Sequence, residues 1–427
     1  MASGIRFPVV NDRGEFREVG QVESKAYLRG GSPENRRQNY QSKVTAWREK
    51  ESTLSTILND IGAARLELAS RTESGCPLRD SLRRNRVTAE ELDALIEGMK
   101  PGQEVARQYL GFKAEKWEKT ALGYGDVVVP VMSMESRFTI DEALDLIRTS
   151  FSEFSASMAE FVDLAVERRW LECSIEPGRI SGGFCSTSLK TSESRIYMPF
   201  DGSWNGVISL AHELGHGFHH WTMRSLHPWQ RDSPAVLRET ISTLAERLVE
   251  RVSLTTESLS ELRNTVIEGR LLRAVTFFLD LPMRYNFERR FYAERRHGPV
   301  SPERLNEICV DVQQSAFGNI LNPTGMNPML WAMRPHLFLS SISYYNWPYT
   351  FAYLLSLKLT NTLIASPPES VSEQLHEIAC STGTIGPSEF ATRFIDADLS
   401  SQLFWRHSSS SLQQEYDDLL VSAVHEA

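Results

Sequence analysis

The stretch Ala211-His212-Glu213-Leu214-Gly215-His216 holds the residues of this 427-residue sequence best suited to chemistry. On a helix, residues four apart share a face, so His212 and His216 can direct two imidazoles at one metal ion. Zinc suits nitrogen donors, and in catalytic sites it keeps a position open for water beside a third protein ligand. Glu213 can lean toward that water and take its proton, the role of a general base. Downstream, Glu239 and Glu246 lie two turns apart on one face of a second expected helix. Either could complete the metal set, leaving the other to orient a histidine from outside. His219 falls close to the metal face and could touch substrate or support the ligands, whereas His220 points elsewhere, toward capping or packing.

These residues need elements to hold them, and the chain reads as mostly helical. Asn205 is a plausible N-cap for the helix that carries the two histidines. Thr88 with Glu91 forms a capping box opening a helix over 89–97, closed by Gly98 and Pro101. Thr139 with Glu142 opens a long segment in which Ala143, Ile147, Phe151, Met158, Phe161, Val162 and Ala165 make one apolar stripe, read as core packing. Ser301-Pro302 starts another helix. Strand signals are few: a valine run over 126–130, then 182–187 and 194–200, with an Asp201-Gly202 turn leading into the histidine helix. The basic cluster Arg79, Arg83, Arg84 and Arg86 lacks a glycine-rich loop and reads as a solvated face.

Composition narrows the class. Hydrophobic residues at 41% and charged residues at 24% are ordinary globular usage. With 46 basic and 55 acidic side chains the formal charge is −9, which argues against a nucleic-acid binder or a polybasic membrane-surface protein. The most apolar stretch, 350–364, is interrupted by Lys358, Asn361 and threonines, and no secretory signal is expected at the start. Five scattered cysteines form no disulfide framework, so a reduced, cytoplasmic protein is expected.

Several motifs in order resemble the oligoendopeptidase F branch of the thimet-oligopeptidase-like zinc peptidases. They are Gly182-Gly-Phe-Cys185, Glu193-Ser-Arg-Ile-Tyr-Met198, Leu210 to His219, and Glu239 to Glu246. His336-Leu-Phe-Leu339, Ser343 to Tyr353, Ser381 to Gly386 and Phe404-Trp405 continue the match. The resemblance implies a mainly α, two-lobed, zincin-like fold with a small β-sheet beside the zinc helix and a deep central cleft. It implies a helical N-terminal lobe over residues 1–123 and a catalytic region over 124–427. His212, His216 and Glu239 would hold one zinc ion, and Glu213 would be the base. His336 and Tyr349 would stabilise the oxyanion, with Tyr345 a further candidate. An edge strand at Gly183 and Phe184 would hold an extended peptide, with Tyr353 and His219 also facing substrate.

The expected function is hydrolysis of short oligopeptides. Alternatives are a hydrolase dedicated to one peptide or amide intermediate of a biosynthetic pathway, and a non-catalytic peptide-binding protein on the same fold. The expected partner is a short peptide, with no nucleic acid and no membrane. Two departures from the resembled family stand out. Its members usually carry a longer N-terminal lobe, which implies a more open channel here, and Phe338 stands where tyrosine is usual.

Overall fold

The computed structural model describes residues 4–72, 75–132, 137–176, 179 and 182–425. The chain opens with a hairpin, β1 (Phe7–Val10) paired antiparallel with β2 (Phe16–Val19), which the strand signals in the sequence do not announce. Phe7, Val9 and Val19 form a small core of their own under it. Asn39 ties the hairpin to the helix Pro33–Arg48: its amide oxygen accepts from Val10 N at 2.7 Å and its amide nitrogen donates to Val10 O at 2.9 Å. Beyond the hairpin the chain is mostly helix.

The capping signals are realised. Thr88 and Glu91 close a capping box on Ala89–Gly98, and Thr139 and Glu142 do the same on Ile140–Ser152. Ser301 caps Pro302–Phe317 by accepting from Arg304 N at 3.2 Å. The long amphipathic segment is two helices, not one. Ile140–Ser152 ends where Phe154 N and Ser155 N both turn back to Phe151 O, and Ala156–Glu167 restarts after an extended Ser155. The buried stripe survives the break, because Phe151, Met158 and Phe161 all reach the same core.

The valine run forms no strand. Its carbonyls are claimed by a side chain: Lys113 Nζ donates to Val127 O at 2.9 Å and to Asp126 O at 3.3 Å. The second sheet is where the strand signals concentrate. β3 (Leu171–Glu172), β4 (Phe184–Thr187) and β5 (Ser194–Tyr197) stand in the order β3-β5-β4, with β4 antiparallel to β5 and β3 parallel to it. Gly202 takes a φ of 77°, as the expected turn requires, and the chain enters the helix Trp204–Thr222.

One apolar core joins the N-terminal helices to the rest. Leu58, Leu92 and Tyr109 belong to the same cluster as Phe161, Leu244 and Phe351, so it is continuous across residue 123. Among the described residues no helix is long and apolar enough to cross a membrane, Trp347–Ala365 included. The five cysteines are all free thiols.

Candidate metal centre and cleft

Two helices build the centre. Trp204–Thr222 is capped by Ser203, whose hydroxyl accepts from Gly206 N at 3.0 Å; Asn205 already lies inside the first turn. Asp201 in turn accepts from Ser203 N, which fixes the cap. The second helix, Ala235–Thr255, packs along the first and is buried over nearly its whole length. Gly215 makes the close crossing possible. A Cβ there would lie 2.7 Å from Ala245 Cβ and 3.0 Å from Ser242 Cα.

That crossing sets His212 and His216 opposite Glu239. Glu239 Oε2 lies 3.3 Å from His212 Nε2 and 3.3 Å from His216 Nε2, and the three ligand atoms all fall within 4.8 Å of one another. Ligand atoms about 2.0–2.2 Å from a tetrahedral zinc stand roughly 3.3–3.5 Å apart, so the donor set fits the ion in chemistry and the two Glu239–histidine distances fit it in spacing. Glu246 takes the outer position: its Oε1 lies 2.6 Å from His212 Nδ1, the carboxylate–histidine arrangement that fixes a ligand's ring. Its other oxygen lies 3.7 Å from Arg273 Nε. Of the two glutamates, Glu239 therefore faces the centre and Glu246 stands behind it.

Glu213 sits beside the donors. Its Oε2 is buried without a protein partner, and a Cβ on Gly183 would come within 2.6 Å of its Oε1. Burial raises its pKa above the ordinary carboxylate value, partly offset by His212 and His216. Gly183, just before β4, lies against this carboxylate, and Phe184 opens the strand at 45% exposure. The outer edge of β4 pairs with no strand among the described residues. His220 ties strand to helix, with Nδ1 2.9 Å from Thr187 Oγ1, in keeping with its expected packing role.

A second wall carries His336, Tyr345 and Tyr349. The His336 ring stacks on Tyr345 with centroids 4.4 Å apart, and the Tyr345 and Tyr349 hydroxyls lie 2.6 Å apart. The charges of Glu239 and Glu213 reach Tyr345, and that of Glu239 reaches Tyr349, which puts the pair across from the donors. Burial raises both phenols, so both stay protonated. Burial and then the charges of Arg284 and Arg334 pull His336 down to about 4, leaving a neutral imidazole at ordinary pH. Phe338 is half-buried against the main core.

Two residues expected to face substrate do not. His219 is fully buried, with Nε2 2.7 Å from Thr382 Oγ1, and it stacks beside His220. Tyr353 is fully buried too, stacked on Phe277 at 4.2 Å with the Arg247 guanidinium 4.8 Å from its ring centre. Both pack in the protein interior. The basic cluster is also only partly a solvated face: Arg83 and Arg84 pair with Asp80, but Arg86 donates to Gly383 O at 3.0 Å and Ile385 O at 3.2 Å. A buried group beside His336 is invisible in the sequence patterns. There Arg334 donates to Asp280 at 2.9 Å and to the Tyr124 hydroxyl at 2.7 Å, and Arg284 bonds the same carboxylate. Its members come from distant segments, and the position of Arg334 two residues before His336 is the one local hint.

Fold and donor set together define a class: helical proteins built on a His-Glu-x-x-His helix faced by a glutamate from a neighbouring helix. Residues 26–383 match the profile of Peptidase family M3, and the chain belongs to that family. It is similar to group B oligopeptidase PepB of Streptococcus agalactiae, at 21% identity over 87% of this chain and 61% of the relative. It is also similar to oligopeptidase PepF of Bacillus subtilis, at 21% identity over 87% of this chain and 55% of the relative. The chain thus spans between half and two thirds of these relatives. The crystal structure of oligoendopeptidase-F from Enterococcus faecium shares the fold, with a TM-score of 0.71 at 15% identity, covering 97% of this chain and 68% of that one.

Proposed function

We propose that this protein is a zinc-dependent peptidase that hydrolyses short oligopeptides, with one zinc ion held by His212, His216 and Glu239. The observation that carries this reading is the convergence of the three ligand atoms beside a buried carboxylate oxygen of Glu213 that has no protein partner. When bound there, zinc supplies Lewis-acid polarisation of the scissile carbonyl and makes water a stronger acid.

The chain's own residues divide the remaining work. Glu213 takes the proton of the attacking water on its carboxylate and delivers it to the leaving amine nitrogen. Two phenols joined by one hydrogen bond use one proton between them, so Tyr345 and Tyr349 retain an O–H to donate to the developing oxyanion. His336, neutral and stacked on Tyr345, orients that phenol and offers a further N–H. The outer edge of β4 receives the peptide as an added strand, with Gly183 leaving room for its backbone beside Glu213. A short peptide as partner, with no nucleic acid and no membrane, and a cytoplasmic setting belong to the same proposal.

The test is metal analysis of purified protein together with cleavage of a mixed peptide library. Bound zinc near one equivalent is expected, and Glu213→Gln should lower peptide hydrolysis by at least about a hundredfold while keeping the metal. Unchanged hydrolysis in that variant would sink the mechanism. A protein that keeps zinc and cleaves only one peptide or amide would be the dedicated hydrolase, and one that binds peptides uncut would be a binding protein.

A further inference from the structure

A cavity of about 800 Å³ opens at the start of the metal-site helix, lined by Trp204 and Asn205 together with the short helix Ser24–Arg29. Five of its charged lining residues are basic and two are acidic, inside a chain whose net charge is −9. Both acids are already engaged. Glu268 accepts from Tyr109 at 2.7 Å and from the backbone N–H of Met132 at 3.0 Å, and Asp201 accepts from Ser203 N at 3.1 Å and Ser203 Oγ at 2.5 Å. The side chains of Lys25 and Arg29 have neither a hydrogen bond nor an ion pair among the described residues, and both residues are half-buried.

Their environment is that of a wall waiting for an anion. Burial lowers the pKa of Lys25, with the charge of Arg29 adding to it; burial lowers Arg29 as well, and the charge of Asp201 opposes both shifts without offsetting them. Lys43 is lowered to about 8 by burial first, then by the charges of Arg334, Lys25 and Arg29. Cations crowded in this way are relieved when a carboxylate enters. Sheet pairing relates the cavity rim to the substrate edge by chain direction. A peptide added antiparallel to β4 runs from beside Thr187 toward Phe184, which pairs with Tyr197, and that chain continues to Phe200 and Asp201 on the cavity rim.

We infer that this cavity is a substrate subsite for a carboxylate, with Lys25 and Arg29 as the residues that select peptides bearing negative charge on the C-terminal side of the cleaved bond. The inference rests on the peptidase reading and adds the class of peptide preferred. The charge has two sources, the terminal carboxylate or an acidic side chain.

The experiment separates both the sources and the two readings. Zinc-loaded Glu213→Gln protein is titrated with matched peptides that differ only in a free or amidated C-terminus, or in Asp against Asn near it; the parent protein is assayed for cleavage of the same set. The anionic member of a pair should bind about tenfold more tightly. The double variant Lys25→Met/Arg29→Leu should erase that difference and leave the neutral peptide's affinity unchanged, while Lys25→Arg/Arg29→Lys keeps the preference. Equal affinities for charged and neutral peptides, or no binding of either, overturn the inference. Cleavage without charge preference overturns it and leaves the peptidase reading standing; charge-dependent binding without cleavage does the reverse.

Discussion

Glu246 reaches the candidate metal centre only through His212, yet the proposed hold on zinc depends on it. A carboxylate on the far ring nitrogen fixes the tautomer and makes the near nitrogen a better donor. Glu246→Gln is therefore expected to weaken zinc binding by about tenfold to a hundredfold without unfolding the protein, read by competition with a chelator. An unchanged affinity would show that His212 needs no such partner. At this scale the sequence is informative wherever function runs along one helix: His212, Glu213 and His216 share a turn, and Glu239 and Glu246 share a face. It is uninformative where the neighbour is remote. His219 and Tyr353 read as active-site residues from their position in motifs, but Thr382 and Phe277, far along the chain, draw them into the interior.

Two helices come together at Gly215, and the centre exists because they do. Adding one methyl at that crossing forces the helix Trp204–Thr222 away from Ala235–Thr255, since the clash falls on Ala245 Cβ and the backbone of Ser242. Gly215→Ala should cost about 1–3 kcal/mol in thermal or denaturant unfolding. It should also loosen zinc binding, because Glu239 moves with its helix; full stability and full affinity in this variant would remove the crossing from the account. Element boundaries are legible where a local side chain makes them, as at Thr88, Thr139 and Ser301. They are not where the choice is tertiary. Ser203 outcompetes Asn205 as cap because Asp201 holds it in place, and the valine run stays out of strand because Lys113 occupies its carbonyls.

Stability of the whole molecule carries a pH signature away from the metal. Glu288 lies buried, accepting from Tyr344 N at 2.8 Å, and burial raises its pKa to about 7, with that hydrogen bond and Arg65 opposing. Its folded-state pKa exceeds the ordinary 4.5, so the folded chain binds more protons between those values. The contribution of this group is therefore complete below the ordinary value and is lost as pH rises through about 7. Unfolding free energy should fall across that window, by up to about 3 kcal/mol from this group. Glu288→Gln should flatten the slope and be the more stable protein at alkaline pH. An identical pH profile for both would contradict it. None of this could be read from the chain alone, since Glu288 on its helix looks like any solvated glutamate.

The outer edge of β4, paired with no strand among the described residues, has a consequence for what the molecule can leave alone. It offers hydrogen bonds only to a backbone able to lie flat beside it for several residues. A helix has every interior N–H engaged, and a central strand has both edges covered. A folded neighbour can meet this edge only where it exposes an edge strand of its own. On the proposed reading, the distinction between a finished protein and a loose fragment is drawn by the geometry of one short strand.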